Sequence, residues 1–351
     1  MTRRRSRKGT KRGYRILALV PEGSIPPDTL DDLAEDEIPD WQMEFDVVSS
    51  LKRQGHEVEC LDVKGELQPI REAIAARKPH VVFNMLEEFH GFVAFDVNLV
   101  AFLELLKVPY TGCNPRGLMI ARDKALTKKI LSYHRIRVPG FAVFPRNSRF
   151  RRVKRLNYPL IVKSLIEESS VGLAQASVVN TDAQLEQRVR FVHEQVGSDA
   201  IAEEYIEGRE LNLGIIGNRR LTTFPVWELN LGNLPEGAPR FATARIKWDP
   251  DYREKYDIDS HPAEDLPEGA EERIARMGKR IYRLLGLSGY ARLDLRLRDD
   301  GAIFVIEANP NPDLGEVEDF SAAAEAGGIS YDDLIGRILR LARSYHSAWF
   351  Q

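Results

Sequence analysis

The strongest constraint on the fold comes from two alternating segments near the carboxyl end of the chain. Tyr290–Leu297 and Ala302–Asn309 each alternate polar and apolar side chains, which predicts two half-buried strands. The turn residues Asp299-Asp300-Gly301 between them predict an antiparallel hairpin. The polar residues of both strands should therefore lie on one face of that hairpin.

That polar face predicts a site for a metal ion and phosphate groups. It carries three oxygen ligands, Asp294, Glu307 and Asn309, and the guanidinium of Arg292. Hard oxygen ligands beside a positive charge suit Mg²⁺ that is bound to a phosphate chain. On this segment alone, a solvated sheet face with paired charges is the alternative.

Three blocks of predicted elements follow the first residues of the chain. Residues 14–112 alternate strand and helix patterns, which predicts a small parallel-sheet α/β domain. Residues 113–211 and 212–351 form a central and a carboxyl-terminal block. The other predicted strands are Tyr14–Val20, Glu57–Val63, Val81–Met85, Leu160–Ser164, Leu173–Val179, Ala200–Ile206, Leu213–Ile216 and Leu221–Leu229. The predicted helices are 41–55, Leu67–Arg77, Phe92–Leu106, Asp123–His134, Asp182–Gln195, Glu268–Leu285 and Tyr331–His346.

A long polar stretch, about residues 240–267, interrupts the last block and is predicted to be irregular. A loop of this length inside a compact domain commonly serves as a lid. It contains Lys247-Trp248, and a basic residue on a lid can close on a transferring phosphoryl group. A solvated run of charges is the alternative.

Charge and cysteine content exclude several classes of protein. The chain has 351 residues and a net charge of −3, which implies no general affinity for nucleic acid or for an anionic membrane. Its two cysteines, Cys60 and Cys113, make a disulfide framework or a zinc site improbable and fit a reducing cytoplasm. Residues 1–13 form a predicted disordered basic tail with seven Lys or Arg, either solubilising or in contact with an acidic partner.

Two further segments suggest a nucleotide site. Lys163 ends a predicted strand before a turn with Ser169 and Ser170, which could fold over phosphates. A simple hairpin turn is the alternative. The segment from Ala202 to Glu210 is predicted as a strand end, a connector and the start of another strand. It could hold an adenine edge through the backbone at Tyr205 and Ile206, and the ribose through Glu210. An interdomain linker with surface acids is the alternative there.

Taken together, these segments resemble the ATP-grasp carboxylate–amine ligases, and within them the D-alanine–D-alanine ligase family. The resemblance extends from about Tyr14 to Leu341. It rests on Val108-Pro-Tyr-Thr-Gly112, Arg122-Asp123-Lys124-Ala-Leu-Thr-Lys128, Ile161-Val-Lys163, Glu168-Ser-Ser-Val-Gly172, Gly208-Arg-Glu210, Phe224-Pro-Val226, Arg292-Leu-Asp294 and Glu307-Ala-Asn309. It implies an α/β and α+β architecture, an ATP-grasp fold preceded by a Rossmann-like (pre-ATP-grasp) parallel-sheet domain.

The resemblance also implies a role for each candidate residue. The implied ATP contacts are Lys124, Lys163, Ser169, Ser170, Glu203, Ile206 and Glu210. The implied ligands of two Mg²⁺ ions, with Mn²⁺ as a substitute, are Asp294, Glu307 and Asn309. The implied catalytic residues are Arg292, Lys247 and Ser170, and His90 lines up with a histidine near the first substrate. The implied reaction is ADP-forming amide-bond synthesis from an amino acid or peptide, in a cytoplasmic enzyme that could be a homodimer.

Departures from the family pattern concern the substrate side. The family's glycine-rich amino-terminal loop is replaced by residues 21–27 and an acidic insert, so that Asp36, Glu37 or Glu44 would have to hold an ammonium group. Where the family holds the second substrate's carboxylate, this chain has the acid-rich run Asp313 to Asp319. A carboxylate near Glu318 would be repelled, so we expect an acceptor other than D-alanine. It could be a cationic amine, or a peptide whose carboxylate binds elsewhere.

Two other functions stay open on the sequence. The first is an ATP-grasp ligase that conjugates an amino acid to a peptide or amine. The second, which the complete set of ATP and metal residues disfavours, is a non-catalytic ATP-binding regulatory protein.

Overall fold

The computed structural model of the protein describes residues 13–30, 40–166, 175–235 and 240–347, and within them three sheets. The first is the predicted parallel sheet of the amino-terminal block, in the order β2-β1-β3. Its strands are β1 (Arg15–Pro21), β2 (Glu57–Val63) and β3 (Val81–Asn84). Its helices are α1 (Gln42–Arg53), α2 (Leu67–Arg77) and α3 (Asp96–Leu105), the last preceded by a 3₁₀ turn at Val93–Phe95.

The second sheet is antiparallel and lies in the central block, in the order β4-β7-β5-β6. Its strands are β4 (Phe141–Phe144), β5 (Leu160–Ser164), β6 (Val178–Val179) and β7 (Ala200–Glu204). The helices are α4 (Pro115–Arg122), α5 (Lys124–Tyr133) and α6 (Asp182–Phe191). Helix α6 continues as a π turn at Val192–Val196.

Two predictions in this block are corrected. The strand expected at Leu173–Val179 is only two residues long, because Gln175–Ser177 form a 3₁₀ turn and Leu173 lies outside the described residues. Helix α4 was not predicted, although the sequence carries its start signals. The side chain of Asn114 caps the helix by accepting a hydrogen bond from the Gly117 N–H, and Pro115 occupies the first turn.

The third sheet belongs to the carboxyl-terminal block and runs β11-β10-β8-β12-β13, with β9 paired to β8. Its strands are β8 (Arg209–Ile216), β9 (Thr222–Thr223), β10 (Trp227–Asn230), β11 (Asp259–Pro262), β12 (Tyr290–Leu297) and β13 (Ile303–Pro310). The helices are α7 (Ala244–Trp248), α8 (Pro250–Tyr256), α9 (Ala270–Leu284), α10 (Asp319–Ala326) and α11 (Tyr331–Ser344). The predicted hairpin is confirmed, since β12 and β13 pair antiparallel.

The stretch predicted to be irregular, about residues 240–267, contains the two short helices α7 and α8 and the edge strand β11, which corrects that expectation. Thr243 and Asp249 each cap a helix by accepting a backbone N–H with the side chain. Ile246 and Ile258 are buried against Leu231. Capping and a small apolar cluster of its own therefore order this segment.

Separate apolar cores hold the sheets in place. One core joins β1 and β3 to α1 and to α11, so the last helix of the chain covers the first sheet. Another core lies between the central sheet and helix α6, which covers it. No helix of the described ranges has both the length and the apolar character that crossing a membrane requires.

Candidate active site

The register of the hairpin brings the four predicted polar residues together. Asp294 lies directly opposite Glu307, and Arg292 lies directly opposite Asn309. Side chains of directly opposed residues in an antiparallel pair lie on the same face and about 5 Å apart at Cβ. On the other side of β12, Asn212 of β8 is the register partner of Asp294. Three neighbouring strands thus present one polar surface.

This surface forms one wall of a cavity of about 480 Å³ between the central and carboxyl-terminal sheets. A volume of this size falls in the range of small-molecule sites. The predicted residues that line it are Lys124, Lys163, Glu203, Ile206, Glu210, Lys247, Arg292, Asp294, Glu307, Asn309 and Glu318. The cavity therefore brings together candidates from the hairpin, from the Lys163 segment and from the Glu203–Glu210 segment. Ser169 and Ser170 lie outside the described residues.

Buried ion pairs organise the centre of the cavity. Lys124 lies 2.9 Å from Glu307, measured from the ammonium nitrogen to a carboxylate oxygen. Lys163 lies 3.3 Å from Glu203 in the same way. Both lysines are less than 10 % exposed. A buried ammonium group held at a fixed position is suited to a phosphate oxygen that replaces its present partner.

The protonation of these groups follows from their neighbours. Burial opposes the charge of Glu307, yet Lys124 and Lys163 together lower its pKa to about 2. Burial likewise disfavours the charge of Lys163, but Glu203 and Glu307 raise its pKa above the ordinary lysine value. Both residues are therefore charged at neutral pH.

Lys128, which ends one of the family-like motifs but was given no role from the sequence, supports the cavity through the lining residue Glu203. Its ammonium group lies 3.1 Å from Glu203 and donates to the backbone carbonyl of Ile306. The side chain is 1 % exposed. The signal was present in the sequence, because Lys128 follows Lys124 by four residues and so shares its face of α5.

The donor set on the hairpin fits a divalent cation. The amide oxygen of Asn309 is buried and has no hydrogen-bond partner among the described residues. Asp294 and Glu307 add two carboxylates on the same face. Within the described chain no cluster of three His, Cys, Asp or Glu residues stands ready for a metal, so the amide oxygen is needed to complete the set. Oxygen-only ligands of this kind match Mg²⁺.

Arg292 is held next to these ligands by Asp294. Its Nε donates to one carboxylate oxygen at 2.8 Å, and a terminal nitrogen donates to the other at 3.3 Å. A two-point contact of this kind fixes the plane of the guanidinium group. Arg292 is thereby directed along the polar wall of the cavity.

The opposite end of the cavity lies where β7 passes into β8. Tyr205 and Ile206 follow β7 and line the cavity, and the Tyr205 hydroxyl donates to the Arg240 carbonyl at 3.1 Å. Glu210 is fixed by Arg296, whose guanidinium lies 2.7 Å from the carboxylate. Arg296 was not assigned from the sequence. Lys247 faces the cavity from α7, so the lysine of the predicted lid lies within the site.

Two substrate candidates are placed differently from each other. Glu318 lines the cavity near Arg292, together with Asp313 and Asp319. His90 does not belong to the cavity lining and lies in an exposed turn with φ +55°, next to Gly65. The positive φ follows from the tight bend before Gly91, and this geometry could not be read from the sequence.

Comparison with known proteins bears on the fold and the family. The family model described as "D-ala D-ala ligase C-terminus" matches residues 130–340. A D-alanine–D-alanine ligase of Desulforudis audaxviator is 30 % identical over 303 residues, which is 85 % of this chain and 91 % of that protein. The uncharacterized protein y4sG of Sinorhizobium fredii is 32 % identical over 313 residues, with 87 % of this chain and 88 % of that protein covered.

A solved structure agrees with the fold. The crystal structure of the D-alanine–D-alanine ligase from Bacillus anthracis complexed with ATP superposes with a TM-score of 0.72 at 21 % identity, over 95 % of this chain and 99 % of that one. The expected ATP-grasp fold is thereby confirmed. The chain belongs to the D-alanine–D-alanine ligase family of ATP-grasp proteins.

Proposed function

We propose that the protein is an ADP-forming carboxylate–amine ligase, which makes an amide bond through an acyl phosphate. The observation that carries this proposal is the single cavity wall that joins Lys124 and Lys163 to Asp294, Glu307 and Asn309. Two buried ammonium groups beside an oxygen donor set are suited to a nucleotide triphosphate with its cation.

The first step would transfer the γ-phosphoryl group. A carboxylate oxygen of the donor acid attacks the γ-phosphorus of ATP, the bond to the β-phosphate oxygen breaks, and ADP leaves. Lys124 and Lys163 bind the phosphate oxygens and offset the charge that develops on them. Asp294, Glu307 and Asn309 would hold two Mg²⁺ ions, which supply further positive charge when bound. Lys247 would cover the phosphates and help to exclude water. Ser169 and Ser170, which lie outside the described residues, are proposed as further phosphate contacts.

The second step would form the amide bond. The acceptor amine attacks the carbonyl carbon of the acyl phosphate, phosphate leaves with the electron pair of the broken C–O bond, and the nitrogen releases a proton to solvent. Negative charge develops on the carbonyl oxygen in between. Arg292, held in one plane by Asp294, is the cation placed to stabilise that oxygen.

The nucleotide base would occupy the end of the cavity beyond Lys163. Ile206 supplies an apolar surface there and Glu210 an acceptor for the ribose hydroxyls, while Glu203 keeps Lys163 in position. In the present structure Arg296 holds Glu210, so nucleotide binding would share that carboxylate between the guanidinium and the ribose.

The donor and acceptor would differ from two D-alanines. The proteins named above as D-alanine–D-alanine ligases suggest small amino acids as the substrate class. The acids Asp313, Glu318 and Asp319 beside Arg292 favour an acceptor without a carboxylate at this place. Conjugation of an amino acid to a peptide or another amine is the second candidate, and the same acids support it.

The test is ADP release with ATP, Mg²⁺ and a panel of L- and D-amino acids and dipeptides, with hydroxylamine added to trap the acyl phosphate as a hydroxamate. Lys163→Ala and Glu307→Gln are expected to abolish both products. Glu186→Gln, in an exposed ion pair with Arg190, serves as the matched control and should keep full activity. Circular dichroism verifies that each variant is folded. Retained turnover in Lys163→Ala would place the reaction elsewhere.

A further inference from the structure

Charge is unevenly distributed along the cavity. Four of its acids are ion-paired with cavity cations, in the pairs Lys124–Glu307, Lys163–Glu203, Arg292–Asp294 and Arg296–Glu210. Four other acids gather at the Arg292 end and form what we call the acidic corner, namely Glu87, Asp313, Glu318 and Asp319. Within the described chain none of these four carboxylates has a salt bridge to a lysine or arginine. The lining also contains Lys247 and Arg253, but the four corner acids outnumber these two cations, so the corner carries excess negative charge.

Backbone groups hold the corner together. The Asp313 carboxylate accepts the Gly315 N–H at 2.7 Å, and Asp46 of α1 accepts the Glu316 N–H at 2.9 Å. A Cβ built on Gly315 would lie 3.0 Å from Glu318 Cγ and 3.3 Å from an Asp313 carboxylate oxygen. The side chains of Asp313, Glu318 and Asp46 thus approach one glycine, and the glycine's lack of a side chain permits this approach.

A buried glutamate behind the corner adds to its field. Glu44 on α1 is 3 % exposed. Burial raises its pKa to about 7, and repulsion from Asp313 and Glu87 acts in the same direction. Burial, together with Asp46, also raises the pKa of Asp313 above the ordinary value. When burial and neighbouring acids oppose the ionisation of a carboxylate, a bound cation stabilises its charged form.

An independent observation also points to a ligand here, namely a buried hydrogen-bond acceptor that has no donor among the described residues. Asn212 lines the same cavity and is 8 % exposed, and its amide oxygen has no hydrogen-bond partner among the described residues. Its amide nitrogen contacts the Asp319 carboxylate at 3.4 Å. Asn212 thus reaches the corner with a free acceptor. A buried acceptor without a partner is costly, and an N–H donor on a ligand would satisfy it.

We propose that the acidic corner binds a second ammonium group of the acceptor substrate, so that the acceptor is an amine with an additional positive charge. This inference rests on the proposed ligase function. One nitrogen loses its proton and attacks the acyl phosphate near Arg292. The other nitrogen stays protonated between Asp313 and Glu318 and donates to Asn212. A diamine or a basic amino acid side chain has this chemistry.

The experiment compares putrescine, a four-carbon diamine, with butylamine, which has the same chain and one amine fewer, and with D-alanine. Donor activation is first established by hydroxamate formation without any acceptor. Amide products are then quantified by mass spectrometry. We expect kcat/KM for putrescine to exceed that for butylamine and for D-alanine by at least about tenfold, which corresponds to about 1.4 kcal/mol.

Variants then assign the preference to the corner. Asp313→Asn and Glu318→Gln should each lower the putrescine-to-butylamine ratio, with the KM for ATP unchanged. Glu271→Gln, an exposed acid at the start of α9, is the matched control and should leave the ratio as it is. Putrescine should also raise the melting temperature of the wild-type protein at constant ionic strength, and raise it less in Asp313→Asn.

The outcomes separate the two proposals. Hydroxamate formation with D-alanine as the best acceptor, or with an unchanged ratio in both corner variants, overturns the cationic acceptor and leaves the ligase function intact. Failure to form hydroxamate with any donor overturns the ligase function. In that case the melting-temperature comparison alone decides whether the corner binds a diamine, and equal shifts in wild type and Asp313→Asn would reject it.

Discussion

Glu203 is the carboxylate that compensates the buried positive charges of Lys128 and Lys163. It is 1 % exposed and lies 3.1 Å from Lys128 and 3.3 Å from Lys163. The two lysines overcome the effect of burial and hold the pKa of Glu203 below its ordinary value. Removing one member of a buried charge pair costs about 3–5 kcal/mol, because the other charge is left without compensation.

We therefore expect Glu203→Gln to lower the free energy of unfolding by about that amount, about 3–5 kcal/mol, in urea titrations. The exposed pair of Glu186 with Arg190 provides the comparison, and Glu186→Gln should change stability by less than about 1 kcal/mol. Equal effects of the two substitutions would mean that the lysine–glutamate network is not a buried electrostatic unit.

The raised pKa of Glu44 leads to a prediction about how the stability of the protein depends on pH. Its pKa is about 7 in the folded protein, above the value of 4.5 that an unperturbed glutamate has. The folded state therefore holds this proton more tightly than the unfolded state, and the stability it contributes at low pH is lost as pH rises towards 7. With about 1.4 kcal/mol for each pKa unit, the loss is about 3 kcal/mol.

Glu44→Gln should remove this pH dependence. We compare the free energy of unfolding of the variant with that of wild type, by urea unfolding at pH 5 and at pH 8. The difference should favour the variant by about 2–3 kcal/mol more at pH 8 than at pH 5. The exposed acid Glu271, changed to glutamine, should show no such difference. A Glu44→Gln profile parallel to that of wild type would show that another group accounts for the slope.

For individual residues, the sequence predicted side-chain contacts best when the two partners lie within a few residues of each other or on paired strands. Strand alternation and a recognisable turn were enough to place Asp294 and Glu307 on one hairpin. Their direct opposition also depends on a register shift between Asp294 and Leu295, which the sequence did not predict. The partnership of Glu203 with Lys128 could not be predicted in the same way. It joins a helix to a strand of a different part of the chain, and only the packing of α5 against the sheets brings the two together.

Among the elements, the connection from β7 to β8 contains a glycine that cannot be replaced without displacement. Gly208 has φ +137°, and a Cβ there would meet the carbonyl oxygen of Leu297 on β12. The Gly208 carbonyl also accepts a hydrogen bond from Arg296 at 2.9 Å. A side chain at this position would have to push β8 away from β12, and with it the Glu210–Arg296 pair.

Gly208→Ala is accordingly expected to destabilise the protein more than Gly197→Ala. Gly197 has φ +77° and open space around its Cα, so alanine there carries only the left-handed strain of about 1–2 kcal/mol. Gly208→Ala adds a steric displacement of about 1–3 kcal/mol. Thermal or urea unfolding of both variants measures the difference, and a KM for ATP raised in Gly208→Ala alone would follow from the displaced Glu210. Similar stabilities for the two variants would contradict the proposed clash.

Several elements were predicted with their exact bounds from the apolar pattern. The bounds of β2, α2, β5 and β12 agree with the prediction to the residue. The short helices α7 and α8 were missed because fewer than two turns leave little periodicity. Their capping residues, Thr243 and Asp249, and Pro250 at the start of α8 were the available signals.

On the scale of the whole molecule, the order of the blocks along the chain is not the order of their packing. The last helix, α11, covers the first sheet, and Arg53 of α1 pairs with Asp332 at 2.8 Å. The central sheet instead has a core formed from its own residues and α6. Motif order was enough to predict the fold, and the residues proposed for ATP and metal line one cavity. It could not predict which distant segments share a core, because apolar periodicity shows that a face is buried without showing against what.

This packing predicts two units that lose protection against hydrogen exchange independently. Leu339 on α11 is 1 % exposed and packs in the core shared with β1 and β3, whereas Leu160 on β5 is fully buried in the central core. Either substitution by alanine should cost about 2–5 kcal/mol through the lost contacts and the cavity left behind. Leu339→Ala should lower protection of the amides in β1, β3 and α1 and leave β5 and β7 as in wild type, and Leu160→Ala should do the reverse. Hydrogen exchange followed by mass spectrometry resolves the two patterns, with each variant as the other's control. Uniform loss of protection in both would mean that the protein opens as one cooperative unit, and the division into separate cores would then have no energetic meaning.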